Sequence, residues 1–77
     1  MTQPIDFELR GEHVALAALL KFTSVADSGG AAKALVASGA VQVDGQQELR
    51  KSCKIRAGQT VSVGGTRIRV RAAETPA

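Results

Sequence analysis

The sequence predicts an α+β fold, two helices packed on a small, mostly antiparallel sheet, and three observations carry that expectation. Apolar residues alternate with charged ones at Ile5, Phe7 and Leu9, the period of a half-buried strand. Between His13 and Ser38 the apolar spacing changes to three and four, the period of helices. After Gly39 it returns to two and is interrupted by glycine-bearing turn signals, the pattern of short strands. With 77 residues there is room for one domain and one core. The domain is expected over 1–71, with 72–77 as a flexible tail.

The elements follow in order. Gly11 ends the first strand. His13 to Phe22 reads as a helix, with Leu16, Leu19 and Leu20 on one face and alanines between them. Its near-continuous apolarity predicts burial on more than one side. Residues 23–27 connect. The second helix runs from Ala31 to Ser38 with Asp27 or Ser28 as N-cap, a stripe at Ala32, Leu35 and Val36, and Gly39 as the left-handed terminator. Gly29 and Gly30 either belong to the loop or leave backbone N–H groups open to close approach. Val41 and Val43 form a strand, and Asp44-Gly45 turns it. Lys54-Ile55 is a short strand, Ala57-Gly58-Gln59 a turn, and Val61 and Val63 a further strand. Gly64-Gly65 closes a hairpin onto Thr66 to Arg71, with Ile68 and Val70 inward and three arginines outward.

Charge is distributed unevenly. Residues 1–48 hold six acids against Arg10, Lys21 and Lys33, a net −3. Residues 49–73 hold Arg50, Lys51, Lys54, Arg56, Arg67, Arg69 and Arg71 with no acid, a net +7. Such asymmetry points to a polyanionic partner, or to a solvated basic sheet that maintains solubility. A single cysteine precludes an internal disulfide and favours a cytoplasmic setting. Residues 1–13 do not have the pattern of a secretory signal. VALAALL is too short to span a bilayer.

One cysteine and one histidine, far apart in sequence, leave no expected metal site, cofactor or Cys–His catalytic pair. Cys53, between Lys51 and Lys54, is either a reactive thiolate or a small filler. The internal Gly64-Gly65 is a hairpin turn. The chain is therefore expected to be no enzyme, to take no small-molecule substrate, to contact no membrane and to need no partner copy. Its two phenylalanines are expected on apolar faces, so a sheet that stacks splayed bases is not expected.

A longer pattern runs through Ser28, Gly29, Gly30, Ala32, Lys33, Leu35, Val36, Gly39, Val41, Val43, Asp44 and Gly45, and continues at Lys54, Ile55, Gly58 and Gln59. It resembles the S-four-type RNA-binding domain, the αL motif. Glu48, Arg50, Lys51, Cys53 and Lys54 add a Glu-x-Arg-Lys-x-Cys-Lys segment that is similar to the small stand-alone YbcJ-like branch of that family. The resemblance covers roughly residues 9–71 and implies a non-enzymatic protein that binds structured RNA, with ribosomal RNA as a candidate. A protein-interaction adaptor with a basic docking face is the alternative.

The site it implies has two parts. Ser28, Gly29 and Gly30 would offer a hydroxyl and helix N-terminal N–H groups to a phosphate, with Lys33 one turn in. Arg50, Lys51, Lys54 and Arg56 would flank the same groove, facing the start of the second helix, with Gln42 reaching a sugar or base edge from the intervening strand. Many family members carry arginine directly after the serine; Gly29 stands there, so that arginine's role does not transfer. Arg67, Arg69 and Arg71 would either extend the RNA track or protect a strand edge.

Overall fold

The computed structural model describes residues 4–73. The elements are β1 (Pro4–Leu9), β2 (Val14–Ala15), α1 (Leu16–Phe22), α2 (Gly29–Ala37), β3 (Val41–Val43), β4 (Gln46–Gln47), β5 (Lys54–Ile55), β6 (Thr60–Val63) and β7 (Thr66–Ala72). Five strands form one sheet in the order β1-β7-β6-β3-β4, and β2 and β5 form a separate two-stranded ribbon. Every pair is antiparallel except β1 with β7, which run parallel.

The register sorts the side chains. Val41 lies opposite Val63, Val43 opposite Val61, Val61 opposite Ile68, and Val70 opposite Phe7. These residues share one face, and that face carries the core with Leu16, Leu19, Leu20, Ala32 and Val36 of the helices. The other face carries Gln42, Ser62, Arg67, Arg69 and Arg71 and faces solvent, as the alternation of buried and exposed positions along β3 and β7 requires.

Several expected boundaries move. His13 to Ala15 is not helical: Val14 and Ala15 pair with Ile55 and Lys54, a non-local contact that outweighs the local helix preference of alanine. The second helix begins at Gly29, two residues before Ala31, so both glycines lie in its first turn. Ser28 is the N-cap, its Oγ accepting from Ala31 N–H at 3.1 Å. A built Cβ would meet nothing within 4 Å at Gly29 and only Ser28 Oγ at 3.8 Å from Gly30, so internal packing does not require either glycine.

At Gly39 glycine is required. It has φ +83°, and a Cβ would strike the Gln47 amide, whose Nε2 donates to Gly39 O at 3.0 Å. The Asp44-Gly45 turn forms with both residues at positive φ, 51° and 82°, as a two-residue hairpin demands. β7 extends through Ala72, past the expected end at 71, and Ala73 N–H donates to Leu9 O at 3.0 Å. Residues 74–77 of the expected tail lie outside the described residues. Phe22, expected on an apolar face, is 63% exposed; one ring face stacks on Phe7 at 6.3 Å.

β7 is an inner strand, flanked by β1 and β6. Its arginines therefore do not protect an edge. Arg69 Nε instead donates to Asp6 Oδ1 at 3.0 Å, and Arg71 lies 4.0 Å from the same carboxylate.

Candidate functional site

The basic segment 50–56 is placed by the needs of α1. That helix has no side-chain N-cap. Its first free donors are satisfied by the segment's own carbonyls: Leu16 N–H donates to Cys53 O at 2.9 Å and Ala17 N–H to Lys51 O at 3.1 Å. Ile55, fully buried, anchors the far end beside Val14. With its backbone turned toward α1, the segment leaves Lys51, Lys54 and Arg56 exposed. None of the three has a salt-bridge partner among the described residues.

Arg56 is held from the other side. Its N–H donates to Gln59 Oε1 at 2.7 Å, Gln59 Nε2 donates to Asp44 Oδ2 at 3.3 Å, and Thr60 N–H donates to Asp44 Oδ1 at 3.0 Å. Asp44 and Gln59, both part of the sequence pattern, thus tie the turn before β6 to the β3–β4 hairpin. Arg50, Ser52, Cys53, Lys54 and Arg56 line one open depression. Arg50, Lys54 and Arg56 are therefore brought together.

Arg50 is not free within it. Glu48 Oε2 accepts from Arg50 N–H at 3.0 Å and from Arg50 Nε at 3.2 Å. Those bonds hold the Glu48 carboxyl at about 2, far below the ordinary carboxylate range. Burial, with the Glu48 carboxylate next to it, pushes the Cys53 thiol up. Cys53 is thus a half-buried filler under the loop, in surroundings that disfavour its thiolate. Sequence reasoning placed Glu48 in the motif but missed its role; an acid two residues before an exposed arginine was the available signal.

The sign of the Glu48 effect follows from its direction. A carboxyl lowered on folding contributes stability that is fully present above its unfolded value of 4.5 and is lost as pH falls through about 2. We expect the Glu48 side-chain carbon resonance to titrate with a midpoint near 2. The substitution Glu48→Gln should speed Cys53 alkylation at neutral pH by lowering the thiol pKa; an unchanged rate would contradict this arrangement.

The remaining site residues fall in two other places. Ser28, Gly29 and Gly30 open α2, and Lys33 is exposed one turn in. The basic segment meets the start of α1, where Cys53 O and Lys51 O accept from Leu16 and Ala17 N–H, and just before it Gln47 of β4 bonds Gly39 at the end of α2. At 1.5 Å rise per residue, Ser28 and Gly39 are separated by about 16 Å. Gln42 lies on the open face of the sheet, opposite Ser62 and Gln47, and not on the helix-covered face. Its neighbours Val41 and Val43 take the core positions.

A strand, two helices and a mixed sheet in this topology, with a Ser cap, a Gly terminator and an Asp-Gly hairpin in series, define the αL class of small domain. The S4 domain family model matches residues 7–71, and the chain belongs to that family. YbcJ of Escherichia coli (strain K12) is 52% identical over 58 residues, which cover 75% of this chain and 83% of that protein. The YbcJ protein of Shigella flexneri matches with the same identity and coverage. The solution structure of Escherichia coli YbcJ, described as revealing an αL motif involved in RNA binding, superposes with a TM-score of 0.67 at 45% identity. The match covers 90% of this chain and 86% of that one.

Among the described residues no group of three or more His, Cys, Asp and Glu could hold a metal ion. No helix among the described residues is long and apolar enough to cross a membrane.

Proposed function

We propose that this protein is a non-enzymatic RNA-binding module that grips structured RNA, ribosomal RNA included, through phosphate and shape contacts. The observation that carries the reading is the segment 50–56: backbone pinned to α1, Lys51, Lys54 and Arg56 exposed, and no acid partner for any of them among the described residues. Membership of the S4 family and the RNA-binding motif described for YbcJ support it. Lys33 and the N–H groups of Gly29 and Gly30 form the second anchor, where a phosphate would meet the positive end of α2. Phe22 offers one exposed ring, fewer than a base-stacking platform uses, so recognition rests on the backbone of the RNA.

Salt dependence tests the reading. About four phosphate contacts predict a roughly hundredfold loss of affinity for a folded RNA between 50 and 200 mM salt. A salt-independent affinity would rule out the phosphate-contact reading. The adaptor alternative is separated by nuclease treatment of captured complexes: partners that persist after RNA digestion would favour a protein-docking role.

A further inference from the structure

The open face of the sheet carries a row that the basic segment does not explain. Register places Gln47, Gln42, Ser62 and Arg67 side by side across β4, β3, β6 and β7. At about 4.8 Å between strands, the row spans roughly 14 Å. It contains no carboxylate. Arg69 and Arg71 share Asp6, whereas Arg67 faces Ser62 on one side and Pro4 on the other. Among the described residues, Gln42, Ser62 and Arg67 make no side-chain hydrogen bond, so their donors and acceptors are available. The row is also continuous with the basic segment: β4 is an edge strand, and the chain passes from Gln47 to Arg50 within three residues.

We propose that RNA bound at the basic segment continues round the β4 edge and across this open face. Arg67 would take a phosphate, and Gln42 and Ser62 would take ribose 2′-hydroxyls. The inference rests on the RNA-binding reading and extends it to a second surface. It also accounts for Gln42, which the fold separates from the helix-covered face. Charge decides the occupant: Lys51, Lys54, Arg56 and Arg67 have no salt-bridge partner among the described residues, whereas the nearby acids Glu48 and Asp6 are held by Arg50 and Arg69, so the strip from the basic segment to Arg67 suits a polyanion. The face bears no aromatic ring, which directs contact to the sugar–phosphate backbone. The 2′-hydroxyl both donates and accepts, as an amide and a hydroxyl do.

The test uses the full chain, a folded RNA hairpin and a DNA hairpin of the same sequence. Arg67→Gln should weaken RNA hairpin affinity roughly tenfold at low salt, the loss expected for one charge-assisted contact. It should also flatten the log–log salt slope by about 0.7 to 0.9. The double variant Gln42→Ala/Ser62→Ala should narrow the preference for RNA over DNA severalfold. All three side chains are free of internal bonds among the described residues, so thermal unfolding should be unaltered. If Arg67→Gln changes neither affinity nor slope while Lys51→Glu/Lys54→Glu abolishes binding, the open-face inference fails and the RNA-binding reading survives. If neither variant matters, that reading fails with it. If Arg67→Gln instead releases a nuclease-resistant protein partner, the face docks protein and the inference is wrong.

Discussion

Reversing charge at Lys33, Lys51 and Lys54 together is expected to reduce affinity for structured RNA at least a hundredfold near 100 mM salt, with each lost charge-assisted contact worth about tenfold before repulsion is added. All three side chains are exposed and none is paired with an acid among the described residues, so the fold has no reason to respond. The triple Glu variant should unfold at the wild-type temperature and elute as the wild type does. Neutral Gln variants separate the contributions, each flattening the salt slope by about 0.7 to 0.9. Arg50 should behave differently. Its guanidinium already serves Glu48, so Arg50→Gln should weaken binding less than Lys51→Gln or Lys54→Gln. Full affinity in a folded triple variant would remove the basic segment from the interface.

Truncating Ile55 is expected to give the largest loss of stability that also bears on function. Ile55 is fully buried in β5, a strand of only two residues whose partner is the equally short β2. Ile55→Ala should cost about 2–5 kcal/mol in lost transfer and cavity terms. A domain of this size has only about 4–12 kcal/mol in all. A loss near 3 kcal/mol would lower Tm by roughly 12–24 °C, since each kcal/mol moves a domain of this size by about 4–8 °C. The loss falls on the anchor of the basic segment, so exchange protection of Leu16 and Ala17 amides, which bond to that segment, should fall before the rest of the core. Lys54→Ala, one residue away but exposed, should leave Tm within a few degrees. An Ile55→Ala protein as stable as wild type would show that the β2–β5 ribbon does not hold the segment.

What could be read from the sequence was what local pattern determines. The alternation along β7 named Ile68 and Val70 as inward and Arg67, Arg69 and Arg71 as outward, and burial agrees. Ser28 and Gly39 bracketed α2 because capping and left-handed termination are local chemistry. Illegible features depended on partners distant in the chain. Val14 and Ala15 look helical until Ile55 and Lys54 pair with them. Period two assigns Gln42 and Val43 to opposite faces but does not say which face the helices cover. The arginines of β7 suggested an edge because no sequence feature announces that β1 will pair in parallel on its other side. The same limitation hid what places the basic segment: its carbonyls cap α1, and backbone acceptors leave no trace in residue identity.

Glu48 shows a subtler limit. Its counter-charge reduces the effective basicity of the segment, and it selects which cations meet a ligand unencumbered: Lys51, Lys54 and Arg56, with Lys33 on α2. A count of positive residues treats all of these alike. Geometry ranks them, and the ranking is what the substitutions above measure.

Backbone amide shifts of isotope-labelled protein titrated with a folded RNA hairpin test the central claim most directly. The account predicts shifts at residues 28–33 and 50–56, with Gln42, Ser62 and Arg67 following if the RNA crosses the open face. It predicts little change at Ala34 and Ala37, exposed positions further along α2. Shifts confined to those positions, or no shifts at RNA concentrations that saturate binding, would contradict it.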